Sequence, residues 1–304
     1  MTGNWTDEAR RRLLDARNQA GVWGYRRDTS PAVEPTALAG LALFALSTEA
    51  NAPAATTAAA GWLAVRQRPN GALGVSEALP EPCWPTPYAL LLWDALKQKQ
   101  FEDNAARAEG WLLGQMGLTV PLERDSIASL DTTIEGWSWV PETFTWLEPT
   151  ALTVLALLGR GRGAHPRVRD GLRLIGDRAL ESGGWNYGNT VVFGHQTRPQ
   201  PTTTGLALVA LARAGERPPA VDKALHYLRA TLPSVRSGPS LGWGVLGLRA
   251  WGIRPPEADH WLAEAAEPAF SGRDLAPDLA PLILAAADRT LFLLGIGRDA
   301  QAAG

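Results

Sequence analysis

Cysteine is almost absent from this chain, since only Cys83 occurs among its 304 residues. One cysteine cannot form an intramolecular disulfide, and it excludes the multi-cysteine zinc sites of small metal-binding domains. The histidines, His165, His195, His226 and His260, are scattered and show no metal-binding spacing. We therefore expect neither a metal nor a cofactor, and we interpret Cys83 as a small buried apolar residue.

An excess of charge of either sign is also missing. The 29 Lys and Arg residues nearly balance the 31 Asp and Glu residues, which leaves a formal net charge of −2. No basic surface is expected that could hold a nucleic-acid backbone, so nucleic acid is excluded as a partner. The sequence lacks an apolar run of about 18 residues that could span a bilayer, and its polar N-terminus lacks the apolar segment of a signal peptide. These absences predict a cytoplasmic protein.

Tryptophan, by contrast, is abundant, with 13 Trp against 6 Phe and 4 Tyr. Many of these residues belong to one repeated phrase, in which an aromatic Gly-rich loop is followed by a Pro-Thr step and an apolar segment. The phrase reads Trp23-Gly-Tyr … Glu34-Pro-Thr-Ala-Leu, Cys83-Trp-Pro-Thr-Pro-Tyr-Ala-Leu, Trp137-Ser-Trp … Glu148-Pro-Thr-Ala-Leu and Trp185-Asn-Tyr … Gln200-Pro-Thr-Thr-Thr-Gly-Leu.

The spacing of this phrase predicts a helical repeat. If Thr36, Thr86, Thr150 and Thr202 are equivalent, the unit recurs at intervals of roughly 50 to 65 residues, and a weaker copy begins at Ser240. A unit of this size is a supersecondary element that cannot bury its apolar face alone. Six such units fill the chain, and we expect residues 1–304 to form a single domain.

Each unit is predicted to contain an amphipathic outer helix and an inner helix that is apolar on nearly every face. The outer helices are expected over residues 7–19, 54–67, 104–116, 166–180, 219–232 and 256–270. The inner helices are expected over residues 36–46, 86–96, 150–158, 202–213, 240–251 and 278–294. Six hairpins close naturally into an all-α (α/α)6 toroid with inner and outer helix rings, because an open array would expose its two ends.

Pieces of a known repeat occur in the outer helices and the loops after them. They include Trp62-Leu63-x3-Gln67-x3-Gly71-x-Leu73, Arg107-Ala108-x2-Trp111-Leu112, Lys223-Ala224-x2-Tyr227-Leu228, Gly21-x-Trp23 and Gly183-x-Trp185. These pieces resemble the QW repeat of the terpenoid cyclase and protein prenyltransferase superfamily, which includes the squalene-hopene cyclases and the prenyltransferase/squalene oxidase repeat proteins. The resemblance extends over essentially the whole chain, although every copy is degenerate.

The resemblance implies that acidic residues at the start of an inner helix carry the chemistry. Class II terpene cyclases protonate an alkene or epoxide with an Asp-x-Asp-Asp-Thr-Ala motif, and Glu148 before Pro149-Thr150-Ala151 takes the place of its central Asp. Glu34 lies in the same frame. Asp131, in Leu130-Asp-Thr-Thr, is superficially similar to a motif of the oxidosqualene cyclases. The catalytic candidates are therefore Glu148, Glu34 and Asp131, with helix capping as the ordinary alternative for the glutamates.

Aromatic residues near these acids suit an isoprenoid substrate, because their π faces stabilise carbocations. His195 joins them because it lies in a long loop, and long loops at the rim of a barrel often carry binding groups. The substrate-binding candidates are Trp23, Trp84, Trp137, Trp139, Phe144, Trp146, Trp185, Tyr187 and His195. Ordinary core packing is the alternative for the aromatic residues.

Three interpretations of function stay open at this point. The first is a proton-initiated terpene cyclase or isomerase that binds a hydrophobic isoprenoid in an aromatic central cavity. The second is a non-catalytic module on the same fold that binds a lipid or a protein. The third is a carbohydrate-active (α/α)6 barrel with paired carboxylates such as Glu142 and Glu148. Peripheral membrane contact and a second toroid in trans are left open as partners, as is the oligomeric state.

Overall fold

The computed structural model describes residues 5–48, 52–121, 130–272 and 275–297. Two short helical turns lie at Lys99–Phe101 and Leu232–Ser234. The α-helices are α1 Trp5–Asp15, α2 Val33–Leu46, α3 Ala54–Arg66, α4 Thr86–Leu96, α5 Glu102–Gly114, α6 Leu147–Gly159, α7 Pro166–Asp177, α8 Pro201–Ala214, α9 Ala220–Thr231, α10 Gly238–Ala250, α11 Ala258–Ser271, α12 Leu275–Ala286 and α13 Arg289–Leu293. A hairpin of β1 Val191–Val192 and β2 His195–Gln196 is antiparallel, with Val192 opposite His195.

The even-numbered helices α2 to α12 form the inner ring of a closed toroid. Each contacts the next one along the chain, and α12 contacts α2, which closes the ring. The odd-numbered helices α1 to α11 pack on the outside, and α1 meets α11 where the outer ring closes. The predicted all-α (α/α)6 toroid is confirmed.

Burial of the two rings follows the apolar pattern that predicted them. In the inner helix α2, every residue from Pro35 to Ala45 is buried. The outer helix α7 buries a stripe that includes Val168, Leu172 and Ile175 and exposes its other side. Most helix ends differ from the predicted ones by a few residues, and the largest difference is in the last inner helix, which ends at Ala286 and is followed by the separate short helix α13.

A threonine at the start of four inner helices fixes the loop that precedes it. The backbone N–H groups of Trp23, Leu73, Trp137 and Trp185 donate to the hydroxyl oxygens of Thr36, Thr86, Thr150 and Thr204, at 3.3, 2.9, 2.9 and 2.9 Å. Each of these hydroxyl groups also donates to the carbonyl of its loop residue. All these groups are buried away from water. The threonine hydroxyl therefore accepts a hydrogen bond from a backbone N–H that would otherwise be unpaired. We call this contact the threonine staple.

Three loop tryptophans extend the staple to the outer helices. The indole N–H groups of Trp23, Trp137 and Trp185 donate to the carbonyls of Leu13, Leu112 and Ile175, at 2.7, 2.8 and 2.7 Å. Those carbonyls lie near the C-terminal ends of α1, α5 and α7. Their indoles are buried between helices and join the two rings, which is the packing role that the sequence left as the alternative, and substrate binding by these tryptophans stays a prediction.

The fourth staple corrects the register of the sequence repeat. Thr204, and not Thr202, occupies the position of Thr36, Thr86 and Thr150. The loop between Trp185 and α8 contains the β1–β2 hairpin, which makes the segment longer than in the other units. Thr202 instead donates a hydrogen bond to the hydroxyl of Ser240 at 3.2 Å. In α8, Thr202 consequently takes the position that Glu34 has in α2 and Glu148 has in α6.

Close backbone packing fills one side of the ring. A side chain at Gly205 in α8 would place its Cβ 2.1 Å from the carbonyl oxygen of Trp243 in α10, so only glycine fits there. Gly247 in α10 lies against Gly205 in the same way. The helices α8 and α10 therefore approach each other too closely to leave room for a ligand between them.

The staple predicts a stability difference between two threonines of the same helix. We expect Thr204→Val to lower the free energy of unfolding by about 1–3 kcal/mol, because it leaves the buried N–H of Trp185 without a partner. Thr202→Val is the matched control and should cost less, since its hydroxyl is only partly buried. Urea unfolding of both variants measures the difference, and equal losses would contradict the corrected register.

Candidate carboxyl and phenol site

Two glutamates lie at the same end of the toroid, in the first turns of α2 and α6. These helices lie on either side of α4 in the inner ring, so Glu34 and Glu148 flank the N-terminus of α4. The N-cap positions of the two helices are Ala32 and Trp146, and neither makes a side-chain cap hydrogen bond. Both glutamates are partly buried.

Two tyrosines join the glutamates into one cluster. The phenol of Tyr25, in the loop before α2, donates a hydrogen bond of 2.7 Å to Oε2 of Glu34. Tyr88, in the first turn of α4, is almost completely buried, and its phenol also interacts with the Glu34 carboxyl. Burial, and then the negative charges of Glu34 and Glu148, raise the pKa of Tyr88, so both acids lie within electrostatic reach of its phenol. We call Tyr25, Glu34, Tyr88 and Glu148 the carboxyl–phenol cluster.

Burial controls the protonation of this cluster. Desolvation, and secondarily the charge of Glu34, raises the pKa of Glu148 to about 7. Desolvation also raises the pKa of Glu34, while hydrogen bonds from Tyr25 and Tyr88 act in the opposite direction. Both phenols have pKa values well above their ordinary range, chiefly because of burial and then because of the nearby charge of Glu34. Below about pH 7 the cluster therefore holds two protonated phenols and a Glu148 carboxyl group that is mostly protonated.

An aromatic group extends from the cluster along the same end of the toroid. The ring of Trp84 packs edge-on against Tyr88 with a centroid distance of 6.3 Å, and against Trp139 at 4.8 Å. Trp84 precedes Thr86 by two residues, so it lies just before α4 at the repeat position that the glutamates have in α2 and α6. The two predicted binding residues Trp84 and Trp139 are thus linked through Tyr88 to the cluster.

The other predicted aromatic residues lie farther along this end. Phe144 and Trp146 form an edge-on pair at 5.9 Å, and the guanidinium of Arg178 lies 5.7 Å from the Phe144 ring. Tyr187 accepts the N–H of Leu147 with its carbonyl oxygen and leaves its side chain 49% exposed. His195 is exposed on the β1–β2 hairpin.

Asp131 does not join the cluster. Its carboxylate accepts hydrogen bonds from the backbone N–H and the hydroxyl of Thr133, at 2.9 and 2.6 Å, and these bonds hold its pKa below the ordinary value. Its backbone N–H donates to Asp177 at the end of α7. These bonds give Asp131 a loop-capping role, and its catalytic role stays a prediction. Glu142, paired with Glu148 in the carbohydrate interpretation, is exposed in a turn with φ of 61°, and Glu34 is the partner that Glu148 has instead.

Five pockets along the described residues are bordered by neither Glu34 nor Glu148. One of them, between α4, α5 and α6, is bordered by Trp84, Trp137 and Trp139 and has a volume of about 20 Å³, which is enough for about one water molecule. The aromatic central cavity expected from the sequence is not seen among these pockets.

Tyr25 and Tyr88 are the site residues that the sequence interpretation missed. Both belong to the repeated phrase, as Trp23-Gly-Tyr25 and Pro87-Tyr88, and tyrosine occurs only 4 times in the chain. The scarcity of tyrosine combined with its place in the repeat was a usable signal. The sequence could not show that Tyr25 and Tyr88 meet at one site, because they come from different repeats.

Solved structures show what this fold is similar to. A variant of the type II terpene cyclase MstE from Scytonema, in complex with its substrate geranylgeranyl dihydroxybenzoate, is 21% identical, with a TM-score of 0.59 over 86% of this chain and 76% of that chain. The apo enzyme has a TM-score of 0.57 at 21% identity, covering 88% and 77%. The protein therefore has the terpenoid-cyclase-like toroid fold that its sequence resemblance implied.

Carbohydrate-active enzymes share the same architecture. An α-amylase from Clostridium perfringens has a TM-score of 0.65 at 11% identity and covers 94% of this chain and 98% of that chain. An α-1,6-mannanase from Salegentibacter has a TM-score of 0.62 at 11% identity, covering 95% and 98%. No protein-family model and no curated protein sequence matches the chain. At these identities the comparisons establish the fold alone.

The described ranges contain neither a membrane-spanning helix nor a cluster of metal-binding side chains. Across those ranges, none of the helices combines the length and the apolar character needed to cross a bilayer. Within the same part of the chain, His, Cys, Asp and Glu side chains do not gather in groups of three or more that could hold a metal ion.

The raised pKa of Glu148 predicts a pH dependence of stability. Between its ordinary pKa of 4.5 and the folded value of about 7, the folded state binds more protons than the unfolded state, so stability falls as pH rises through this window. One pKa unit corresponds to about 1.4 kcal/mol, which sets an upper bound of about 3.5 kcal/mol on the loss of stability.

Urea unfolding of the wild type and of Glu148→Gln at several values between pH 4.5 and 7.5 tests this expectation. The wild type should lose more stability than the variant as pH rises, because the neutral amide cannot ionise. Glu142→Gln, which changes an exposed glutamate, is the matched control and should follow the wild type. Parallel curves for the wild type and Glu148→Gln would contradict the assignment.

Proposed function

We propose that the protein is a proton-initiated enzyme acting on an isoprenoid, with Glu148 as the acid. The observation that carries this proposal is the carboxyl–phenol cluster, in which Glu148 keeps a proton near neutral pH beside an aromatic group. The terpenoid-cyclase-like fold supports the substrate class, because the cyclase MstE of the same fold binds a geranylgeranyl compound as substrate.

The proposed reaction conserves protons overall. The O–H bond of Glu148 breaks and its proton forms a new C–H or O–H bond on the substrate, which leaves a carbocation. The π faces of Trp84, Tyr88 and Trp139 stabilise the cation while carbon–carbon bonds form. A carbon beside the cation then loses a proton to water, which restores a double bond, and water returns a proton to the Glu148 carboxylate, so the product is an isomer of the substrate.

The acidity of Glu148 restricts the group that it can protonate. A pKa of about 7 keeps the proton in place at neutral pH but makes Glu148 a weak acid. An isolated alkene requires a stronger acid than an epoxide does, because the epoxide oxygen is a better base and its ring opening relieves strain. We therefore favour an epoxide, or another electron-rich acceptor, over an unactivated terminal alkene.

Exposed apolar side chains also point to an apolar ligand. The loops at the end of the toroid that carries the cluster expose Leu79, Met116, Leu118, Val140 and Phe193, the last of them 97% exposed. Such side chains favour the approach of a hydrophobic molecule from that end. They also fit the peripheral membrane contact that the sequence left open.

Incubation with isoprenoids and analysis of the extract by mass spectrometry tests the proposal. The panel contains squalene, its terminal epoxide and polyprenyl diphosphates of several lengths. We expect a cyclised or isomerised product of the wild type, with loss of at least about 100-fold in turnover for Glu148→Gln, because removal of a general acid costs about 10²–10⁴-fold. Glu142→Gln is the control that should keep the activity.

Retention of the product by Glu148→Gln would exclude Glu148 as the acid. Unchanged substrates throughout, together with a lipid bound to the purified wild type, would favour the non-catalytic binding module. The fold of both variants is verified by circular dichroism, so that loss of product is separated from loss of structure.

A carbohydrate-active barrel is the second candidate, and the pairing of two carboxyl groups in the mouth of an (α/α)6 barrel favours it. Glycosidases use an acid of raised pKa with a second carboxylate, which Glu148 and Glu34 resemble in protonation. Incubation with α-1,6-mannan and α-glucans, followed by a reducing-sugar assay, distinguishes this function. Sugar release that is lost in Glu148→Gln would replace the isoprenoid proposal.

Membrane contact gives a separate prediction. We expect the wild type to sediment with phosphatidylcholine vesicles and Phe193→Ser to sediment less, because the variant removes the most exposed large apolar side chain at that end. Phe292→Ser, which changes an exposed residue near the C-terminus in α13, is the matched control. Equal sedimentation of all three proteins would contradict a role for the hairpin.

A further inference from the structure

We propose that Tyr25 and Tyr88 are positioning residues that hold Glu34 as a carboxylate, so that the proton of the glutamate pair rests on Glu148. This assigns a role to two tyrosines and a fixed order of ionisation to the pair. The role in turnover rests on the proposed function, but the order of ionisation does not.

The hydrogen bonds of the two glutamates are unequal. Glu34 accepts a hydrogen bond of 2.7 Å from the Tyr25 phenol and also interacts with the Tyr88 hydroxyl. A phenol that keeps its proton can only donate to a carboxylate in this geometry, and donation stabilises the charged form of the acid. Both phenols do keep their protons, because burial disfavours phenolate.

Among the described residues, neither phenol donates a hydrogen bond to Glu148 as Tyr25 does to Glu34. Among the described residues, burial and the charge of Glu34 are the influences on its carboxyl group, and both favour the protonated form. Two carboxylates beside the same buried phenol would repel each other in a poorly solvated site. One proton therefore stays in the pair, and it stays on the acid that has no phenol donor.

Among the described residues around α2, the side chains that shift the pKa of Glu34 belong to the cluster itself. Around α2, the loop before it supplies Tyr25, α4 supplies Tyr88, α3 ends at Arg66 and α12 begins near Asp278. Arg66 lies 3.6 Å from Glu77 and does not act on Glu34. Burial raises the pKa of Glu34 and the two tyrosines lower it, whereas burial and the charge of Glu34 both raise the pKa of Glu148.

The arrangement has a consequence for the proposed reaction. When Glu148 gives its proton to the substrate, the negative charge of Glu34 is already in place and stabilises the cation that forms. Glu34 neither gains nor loses a proton in this step. The tyrosines thus act through Glu34 and do not need to touch the reacting atoms.

Titration of the carboxyl groups by NMR tests the proposal without any substrate. The protein is labelled with ¹³C at the glutamate side-chain carboxyl, and the Glu34 and Glu148 signals are assigned with Glu34→Gln and Glu148→Gln. In the wild type, Glu34 should titrate at lower pH than Glu148. In Tyr25→Phe, the Glu34 midpoint should move to higher pH and the Glu148 midpoint to lower pH, because Glu34 loses a donor and carries less charge.

Tyr227→Phe is the matched control, because Tyr227 is a partly buried tyrosine that donates to the carbonyl of Pro199, far from the cluster in sequence. It should leave both midpoints unchanged. Tyr25 is only partly buried, so the Phe variant keeps the packing of its ring. If Tyr88→Phe does not fold, the Tyr25 variant alone decides the result.

Unchanged midpoints in Tyr25→Phe, or a wild-type Glu148 that titrates before Glu34, would overturn the proposal whatever products are found. Shifted midpoints without any product would sustain it and would count against the isoprenoid function alone. If turnover is found, the two midpoints of its pH–rate profile in Tyr25→Phe should move with the NMR midpoints of Glu34 and Glu148. A tyrosine with only a structural role would not produce this shift.

Discussion

The threonine staple is the interaction on which the rest of this structure depends. A threonine hydroxyl at the start of an inner helix binds the backbone of the loop before it, as Thr150 does with Trp137, and the indole of that loop then binds the end of the outer helix. Both bonds are buried, so their loss would leave polar groups unpaired. The outer helix, the loop and the inner helix are thereby fixed as one rigid unit.

This rigidity determines which side chains meet at one end of the toroid. The residue two positions before each staple threonine lies in the same place in every unit, and these residues are Glu34, Trp84, Glu148 and Thr202. A repeat that keeps its scaffold constant can vary this position without cost to the fold. Two acids, an aromatic ring and a hydroxyl therefore occupy equivalent positions in neighbouring units at one end of the toroid.

Burial gives that site its chemistry and also limits it. The same desolvation that keeps a proton on Glu148 at neutral pH weakens Glu148 as an acid. Two buried phenols offset part of this effect at Glu34 and not at Glu148, which makes the two acids different although their local sequences are alike. A shared fold with terpene cyclases and with carbohydrate-active enzymes is consistent with this view, because the fold supplies the positions and the residues at those positions supply the reaction.

The architecture could be predicted from the amino-acid pattern, because apolar spacing within each segment and the repeated phrase are local features. It placed inner helices such as α4 and α8 within a few residues of their ends, and it singled out Glu34 and Glu148. Three features became visible only in the folded chain. Trp23 and Trp185 join helices, and Thr204 replaces Thr202 in the repeat. Tyr25 and Tyr88 face the acids. The reason is physical: each of these outcomes depends on contacts between units or on a loop whose length breaks the repeat, and ring closure brings together residues whose separation in sequence carries no periodic signal.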